Sequence, residues 1–353
     1  MSDETQSGVS VIIPARDEES NIEAVVRSLA PQSAVCEIIV VDDQSCDRTP
    51  QILARLAAEF AAVRILRLDN LPSGWLGKPH AAAEGAKLAR GGWLLFTDAD
   101  TRHRPGSVAL LLDRAESSGA AMLSISPAQR METWWEKAVI PLVYIQLARL
   151  FRFEDVNDPR SPAAAANGQY ILIRRGVYDR VGGFEAVRSE VLEDVELARR
   201  IKSTGAKLLF LPGADWVETR MYRAFGEMWR GWTKNLFLLY GRSPGRIRRA
   251  AIEILVIQWL PWALLLAFTG LILSVQGRYW VYGLWFACLV AAWWQQRSEK
   301  RQLAKLGFST KLSLCVLAGA PLLCLIMLNS RWAYRSGGSI QWKGRTYSVK
   351  GDV

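Results

Sequence analysis

Histidine and cysteine are scarce in this chain of 353 residues, which contains two histidines and five cysteines. His80 and His103 are too few to build a zinc site from imidazole ligands. No two cysteines have Cys-x-x-Cys spacing, and nothing in their positions suggests a disulfide framework. We therefore expect a protein of a reducing compartment such as the cytosol.

Two further signatures are missing from the chain. It has neither a Walker loop nor a Gly-x-Gly-x-x-Gly loop, which counts against P-loop kinases and NAD-dependent enzymes. Its first residues are polar and acidic rather than apolar, so we expect no signal peptide.

Positive charge is in excess, with 44 Lys and Arg against 34 Asp and Glu and a net charge of +10. The basic residues cluster at 242–250, at 297–311 and after Arg331, and each cluster borders an apolar run. Basic residues next to a membrane segment attract anionic headgroups. The pattern therefore favours a membrane surface as partner and argues against nucleic acid.

Apolar residues make up half of the composition and dominate the chain beyond Ala250. Each of three apolar segments approaches the roughly 20 residues needed to cross a bilayer. Basic residues after the second and third segments predict that both points face the cytoplasm, which requires an even number of crossings. The third segment contains Pro321, so we expect it to be re-entrant or a short hairpin. The predicted regions are a catalytic domain at 1–241, which includes an amphipathic helix near 221–241, and a transmembrane region at 250–330 with segments near 250–275, 279–296 and 312–330. A basic cytosolic tail follows at 331–353.

Strands alternate with amphipathic helices up to about Tyr240, which indicates an α/β fold with a mostly parallel sheet. Three successive predicted strands end in "PARDEE", "DDQSCD" and "DAD". Because ligands of such sheets bind beyond the carboxyl ends of the strands, these acidic side chains are expected at one edge.

Asp98 and Asp100 form an Asp-x-Asp pair at the end of the strand "GGWLLF". Such a pair can cap the following helix. On an edge with several acids it can instead bind Mg²⁺ or Mn²⁺, which takes one or two carboxylates together with phosphate oxygens. The absence of a glycine-rich phosphate loop favours a metal-bound nucleotide diphosphate.

The motifs together resemble those of inverting family 2 glycosyltransferases with the A-type fold. The resemblance covers residues 9 to about 240 and rests on "VIIPARDEE", "VVDDQSCDRT", "GKPHAAAEGAKLARG", "FTDADT" and "LEDVELARRIK". It implies an enzyme with a nucleotide-sugar-binding, mostly parallel sheet flanked by helices. A C-terminal helical transmembrane region follows that domain here. The implied donor is a nucleotide-diphosphate sugar, first of all a UDP-sugar.

In that family the first two motifs and the lysine-containing turn hold the nucleoside, and the Asp-x-Asp motif holds ribose and metal. The resemblance assigns the nucleotide to Pro14, Ala15, Glu18, Asp43, Lys78 and Asp98, and the metal to Asp98 and Asp100. Asp42 would support its loop or share the base contact. As alternatives, "DDQSCD" can cap a helix and Lys78 can be an exposed lysine. His103 can approach the metal or sugar, or it can make only a local hydrogen bond.

The resemblance also assigns the general base to Asp194 and an orienting role in the site to Glu193. Inverting transfer needs a carboxylate that takes the proton of the acceptor hydroxyl during attack on the anomeric carbon. Taken alone, the pair could be an acidic first turn favoured by the helix dipole.

One motif departs from the family pattern. Processive polysaccharide synthases carry Gln-x-x-Arg-Trp near the membrane, whereas this chain reads "EMWRGWTKN", with Glu227 in the Gln place and Gly231 where Trp is expected. Arg230 could still neutralise the departing diphosphate, with Trp229 or Trp232 stacking nearby. An interfacial aromatic belt is the alternative. The departure favours transfer of a single sugar over processive synthesis.

Two segments point to a lipid acceptor. "AAAANGQYILIRRGVYDRVGGFEA" and "SGGSIQWKGRTY" look like a membrane-bound subgroup that includes hopanoid-associated and carotenoid-type glycosyltransferases. The apolar stretch 133–153 lies between Asp100 and Asp194, which must share one active site, so it cannot cross the bilayer once. It is either an interfacial helix that admits the lipid or a buried core helix.

The sequence thus predicts transfer of one sugar to a lipid hydroxyl by a multi-pass protein of a bacterial-type inner membrane, with its catalytic domain in the cytoplasm. A polyprenyl-phosphate glycosyltransferase or a short-chain polysaccharide synthase is the second hypothesis. The third is a membrane-anchored scaffold with a degenerate transferase domain. A nucleotidyltransferase would usually carry a glycine-rich, basic N-terminal loop, which "PARDEE" is not.

Overall fold

The computed structural model describes residues 6–274, 279–335, 339–343 and 345–348. Their contacts divide the chain into two compact units. The first unit comprises Met1–Arg130 and Phe151–Met221, and the second comprises Met131–Leu150 and Tyr222–Val353.

An eight-stranded mixed sheet forms the centre of the first unit, with strand order β3-β2-β1-β4-β7-β6-β8-β5. The strands are β1 (Gln6–Ala15), β2 (Val35–Asp42), β3 (Val63–Arg67), β4 (Gly91–Phe96), β5 (Thr101–His103), β6 (Met122–Gln129), β7 (Ile171–Arg174) and β8 (Leu208–Thr219). Strands β3, β2, β1 and β4 are mutually parallel, as the alternation of strands and helices predicts. Strand β7 runs antiparallel between β4 and β6, and short β5 pairs antiparallel with β8.

Helices cover both faces of this sheet, which confirms the predicted α/β class. They are α1 (Ile22–Leu29), α2 (Thr49–Glu59), α3 (Gly77–Leu88), α4 (Ser107–Ser118), α6 (Phe153–Asn157), α7 (Arg175–Arg180) and α8 (Glu193–Ser203), with a 3₁₀ helix at Gly183–Val187. Alternate residues of one strand enter different cores, because successive side chains of a strand point to opposite faces. Ile12 packs in the core on one face, whereas Val11 and Ile13 pack in the core on the other.

The second unit is built from long helices. They are α5 (Trp134–Leu150), α9 (Phe225–Leu239), α10 (Pro244–Ser274), α11 (Tyr279–Lys305) and α12 (Ser313–Arg335), and a short 3₁₀ helix at Thr310–Leu312 precedes α12. By length and composition, Pro244–Ser274 and Thr310–Arg335 are able to cross a membrane. The third apolar segment is one continuous helix through Pro321, so the predicted re-entrant form is wrong. The proline removes one helical hydrogen bond, which costs less free energy than a break in a helix of this length.

The units divide the chain differently from the predicted domains. Helix α5, from the stretch expected at 133–153, and helix α9, expected at 221–241, both group with the apolar helices rather than with the sheet. Helix α5 packs on α12. Most residues in the middle of α5, including Val139 and Val143, are buried, as in a core helix.

The predicted basic tail contains regular structure. Helix α12 continues to Arg335, and strands β9 (Ser339–Trp342) and β10 (Arg345–Ser348) pair antiparallel. The other tail residues, like the N-terminal residues 1–5, lie outside the described residues.

Candidate active site

The ends of β1 and β2 bring the first two predicted nucleotide motifs together. Ala15 lies opposite Asp42 in the parallel register, and the Asp43 backbone N–H donates to the Ala15 carbonyl at 2.8 Å. The Arg16 guanidinium donates to the Asp43 carbonyl oxygen at 2.7 Å. Pro14, Ala15 and Asp43 therefore lie together where β1 and β2 end and the two following loops begin.

Backbone strain marks the same two loops. Asp17 and Gln44, neither of them glycine, have φ angles of 51° and 59°. Such angles are uncommon for residues with a side chain and persist where neighbouring contacts fix them. The Asp17 N–H donates to Ser45 Oγ at 3.0 Å, and its carboxylate accepts from the Cys46 N–H at 2.8 Å. Asp17 and Ser45 thus hold the two loops together.

Two further acids of these motifs have hydrogen bonds that fix their loops. The Asn21 amide donates to Glu18 Oε2 at 2.8 Å, and the Glu18 N–H donates to Thr49 Oγ1 at 2.8 Å. The buried Asp42 carboxylate accepts from the Ser45 N–H at 3.0 Å, as expected of a residue that supports its loop.

Lys78 connects three motifs that are far apart in the sequence. It lies in the first turn of α3, and its Nζ is 2.7 Å from Asp98 Oδ1 and 3.2 Å from Glu193 Oε1. Burial alone would lower the pKa of Lys78, but the carboxylates of Asp98 and Glu193, together with that of Asp194, outweigh it and raise the pKa. The lysine is therefore a fixed positive charge between the strand-end acid and the helical acids.

Asp194, the predicted base, is oriented by two backbone N–H groups. The Gly168 N–H donates to its Oδ2 and the Val195 N–H donates to its Oδ1, both at 2.8 Å. A Cβ atom at position 168 would lie 2.7 Å from Lys78 Nζ and 3.4 Å from Asp194 Oδ2. A side chain here would displace the Lys78 ammonium from its two carboxylate partners, so Gly168 belongs to the site. It lies within the segment "AAAANGQYILIRRGVYDRVGGFEA", where the sequence alone assigned it no role.

The electrostatic surroundings of Asp194 suit proton transfer. Its partial burial and the nearby charge of Glu193 raise its pKa to about 6, although Lys78 and the two N–H groups oppose the shift. A base is most effective when its pKa is close to the working pH. The geometry therefore places a usable base beside a lysine.

His103 is held inside the first unit, where it is 4% exposed. Its Nε2 lies 3.1 Å from Thr97 Oγ1 and 3.2 Å from Thr101 Oγ1, and the Thr97 hydroxyl donates to the Gln169 carbonyl. Burial lowers the pKa of His103 to about 3, which keeps its ring neutral. These contacts match the local hydrogen-bonding alternative, and contact with a metal or sugar stays a prediction.

The residues that follow β4 fit a divalent metal bound together with substrate. Within the described residues, no three His, Cys, Asp or Glu side chains form a group that could enclose an ion. Asp98 and Asp100 supply two carboxylates, and Mg²⁺ commonly fills its other positions with phosphate oxygens and water. The pair therefore suits an ion that arrives with a diphosphate.

The departures from the Gln-x-x-Arg-Trp motif have structural causes in the second unit. Glu227 Oε2 accepts from the Arg223 and Ala224 N–H groups at 3.0 and 3.2 Å and so caps the start of α9. A side chain at Gly231 would overlap the Tyr222 ring.

The other predicted residues of α9 lie in the same unit. Trp232 is buried, and its ring centroid lies 6.2 Å from that of Tyr222. The ring centroids of Trp229 and Phe225 are 6.0 Å apart. These positions assign no role to Arg230, Trp229 or Trp232 in catalysis, and those roles stay predictions.

Comparison with known proteins relates this geometry to a family. Residues 10–182 match the model described as Glycosyl transferase family 2. A Staphylococcus aureus (strain USA300) protein named 4,4'-diaponeurosporenoate glycosyltransferase is 27% identical over 348 residues, covering 97% of this chain and 88% of that protein. The protein of the same name from the bovine strain RF122 is 26% identical over the same share of both chains.

A solved structure has the same fold. The mannosyltransferase PcManGT of Pyrobaculum calidifontis, in complex with GDP-Man and Mn²⁺, superposes with a TM-score of 0.56 at 17% identity, over 94% of this chain and 88% of that one. The match to the family model confirms the glycosyltransferase family 2 resemblance drawn from the motifs, and the solved structure adds the shared fold. This chain is a glycosyltransferase that carries a glycosyl transferase family 2 domain.

Proposed function

We propose that the protein transfers a single sugar from a UDP-sugar to the hydroxyl of a membrane lipid, with inversion at the anomeric carbon. The main support for this proposal is that Lys78 forms ion pairs with both Asp98 and Glu193. The carboxylate of Asp194, oriented by the Gly168 N–H, lies beside them. A nucleotide donor is supported by the fold neighbour that was solved with GDP-Man and Mn²⁺.

The lipid acceptor has separate support. The relatives that match nearly the whole chain are named for diaponeurosporenoate. That name denotes a carboxylate, so it supports a lipid as the acceptor, and the hydroxyl rests on the proposed base, Asp194. The second unit offers long apolar helices with many exposed aromatic side chains, such as Trp280 and Trp293, as expected of a protein at a membrane. We propose that the protein is located in the inner membrane and that sugar transfer takes place in the cytoplasm.

The transfer step follows from the side chains of the first unit. The acceptor oxygen forms a bond to the anomeric carbon while the bond from that carbon to the diphosphate oxygen breaks. Asp194 accepts the hydroxyl proton, and the Gly168 N–H holds the carboxylate in place as the proton arrives. Glu193 keeps Lys78 directed into the site.

The leaving diphosphate needs compensation of its negative charge. Lys78 supplies one positive charge, and Arg230 is the further candidate. Asp98 and Asp100 would hold a Mg²⁺ or Mn²⁺ ion, which when bound stabilises the charge of the leaving group.

The test is sugar transfer by the full-length protein in detergent. UDP-, GDP- and dTDP-sugars are offered with Mn²⁺ or Mg²⁺, with and without a bacterial lipid extract. The Asp194→Asn variant is compared with Asp113→Asn, a change at an exposed aspartate of α4. We expect a lipid-dependent product, a loss of about 10²- to 10⁴-fold in Asp194→Asn, and wild-type rates in Asp113→Asn.

Two outcomes would contradict the proposal. Full activity of Asp194→Asn would contradict a hydroxyl acceptor and would indicate one that is already an anion and needs no base. A phosphate acceptor would favour a polyprenyl-phosphate glycosyltransferase, and a carboxylate acceptor would match the name of the relatives. Failure of the wild type to bind any nucleotide in the presence of Mn²⁺ would favour a membrane-anchored scaffold.

A further inference from the structure

A cavity of about 330 Å³ lies within the second unit, and none of its lining residues has been assigned to sugar transfer. Its walls are Phe237 of α9, Pro244 at the start of α10, and Arg331 and Arg335 in the last turns of α12. Arg331 and Arg335 are four residues apart on one helix, so both guanidinium groups lie on the same side of α12.

The guanidinium of Arg331 has unused hydrogen-bonding capacity at this cavity. Its Nε is buried and has no hydrogen-bond partner among the described residues. Within that part of the chain, neither Arg331 nor Arg335 forms an ion pair with a carboxylate. A buried donor without an acceptor is costly, and a guanidinium is well shaped for the oxygens of a phosphate or carboxylate.

The start of α10 adds a third favourable feature. This helix has 31 residues, and Pro244 is its first. The N-terminus of a long helix carries partial positive charge and attracts anions. The Ser243 hydroxyl oxygen accepts from the Arg246 N–H at 3.3 Å, so the first turn is fixed where it borders the cavity.

We propose that this cavity binds the phosphate group of an anionic membrane lipid. Two arginines without carboxylate partners and a helix N-terminus supply the recognition of the phosphate, and Phe237 supplies an apolar wall for the glycerol and upper acyl chains. The lipid is favoured over free phosphate because the arginines end α12, which is able to cross a bilayer. The site is independent of the proposed sugar transfer.

The experiment measures lipid binding by the full-length protein in maltoside detergent by calorimetry. The probe is dioctanoyl phosphatidylglycerol, and dioctanoyl phosphatidylcholine and inorganic phosphate are the comparison ligands. The variant Arg331→Gln/Arg335→Gln is matched by Arg301→Gln/Lys305→Gln, which removes the same charge at the same spacing from exposed positions of α11. If the double variant does not fold, the single variant Arg335→Gln is measured instead, because Arg335 is exposed.

We expect phosphatidylglycerol to bind the wild type about tenfold more tightly than phosphatidylcholine or phosphate does. The Arg331→Gln/Arg335→Gln variant should lose about that factor, the single variant about threefold, and the α11 variant less than about twofold. Equal losses in both double variants would overturn the proposal, because they would indicate unspecific charge attraction. Phosphate binding as tight as that of the lipid would overturn the assignment to a lipid, and absence of binding would overturn the site.

Discussion

Asp194 shows how one side chain obtains its chemistry from its neighbours. Its pKa of about 6 results from partial burial and from Glu193, opposed by Lys78 and by the Gly168 and Val195 N–H groups. A carboxyl group with a raised pKa is protonated below that value and cannot accept a proton. Transfer should therefore fall as the pH decreases through about 6.

The contribution of Glu193 to this profile can be measured. In Glu193→Gln a negative charge beside Asp194 is removed, so the pKa of Asp194 falls and the midpoint of kcat against pH moves to lower pH. The control is Glu196→Gln, which removes the same charge from the same helix turn on a side chain that pairs with Arg199. An unchanged or higher midpoint in Glu193→Gln would contradict this account of the base.

The residues of the site differ in how well the sequence identifies them. Lys78, Asp98 and Glu193 have chemically distinctive side chains in recognisable motifs, and the structure brings them together. Gly168 acts through its N–H and through the space above its Cα, neither of which has a signature in a single sequence. The bracing by Asp17 was missed for a similar reason, because its left-handed φ depends on hydrogen bonds from another loop.

At the scale of elements, the predictable part of the fold is the part with long, repeated patterns. Apolar strands followed by amphipathic helices predict the parallel β1–β4 half of the sheet. Strands β5 and β7 have only three and four residues, too few for a periodic signal, and their antiparallel pairing depends on distant partners. The prediction for helix α12 was wrong because Pro321 suggested a break, whereas the helix continues through this residue.

The contact between α5 and α12 depends on one small residue. A Cβ at Gly319 would lie 2.5 Å from the carbonyl carbon of Ala138, so the two backbones touch. We expect Gly319→Ala to lower the free energy of unfolding by about 1 to 3 kcal/mol, since backbone atoms cannot move aside as a flexible side chain can. The change in the free energy of unfolding is measured by thermal unfolding of the purified protein in detergent, monitored by circular dichroism.

Gly283 provides the control for this substitution. It also lies in a long helix of the second unit, and a Cβ there would meet nothing within 4 Å. Gly283→Ala should be neutral or stabilising by up to about 1 kcal/mol, because alanine favours the helix. Equal stability of the two variants would show that α5 and α12 do not pack as closely as described.

At the scale of the whole molecule, the two units are interleaved in sequence. The chain leaves the first unit after Arg130, contributes α5 to the second, and returns at Phe151. A polypeptide that ends at residue 221 therefore contains the complete sheet unit and also a helix that belongs to the other unit. In that fragment α5 loses the other helices of its unit, so Leu142 and Ile145, which are buried beside α10 and α11 in the full chain, would become exposed.

We accordingly expect the fragment 1–221 to aggregate in aqueous buffer or to require detergent, although its sheet carries Lys78, Asp98 and Asp194. Replacing Leu142 and Ile145 with serine in the fragment should increase its soluble yield, because exposed apolar patches drive association. The same double change in the full chain should instead lower the midpoint of thermal unfolding, since it buries two hydroxyls beside α10 and α11. Size-exclusion chromatography of both fragments and unfolding of both full chains test the argument. A soluble, monomeric fragment 1–221 without these substitutions would show that α5 does not depend on the second unit.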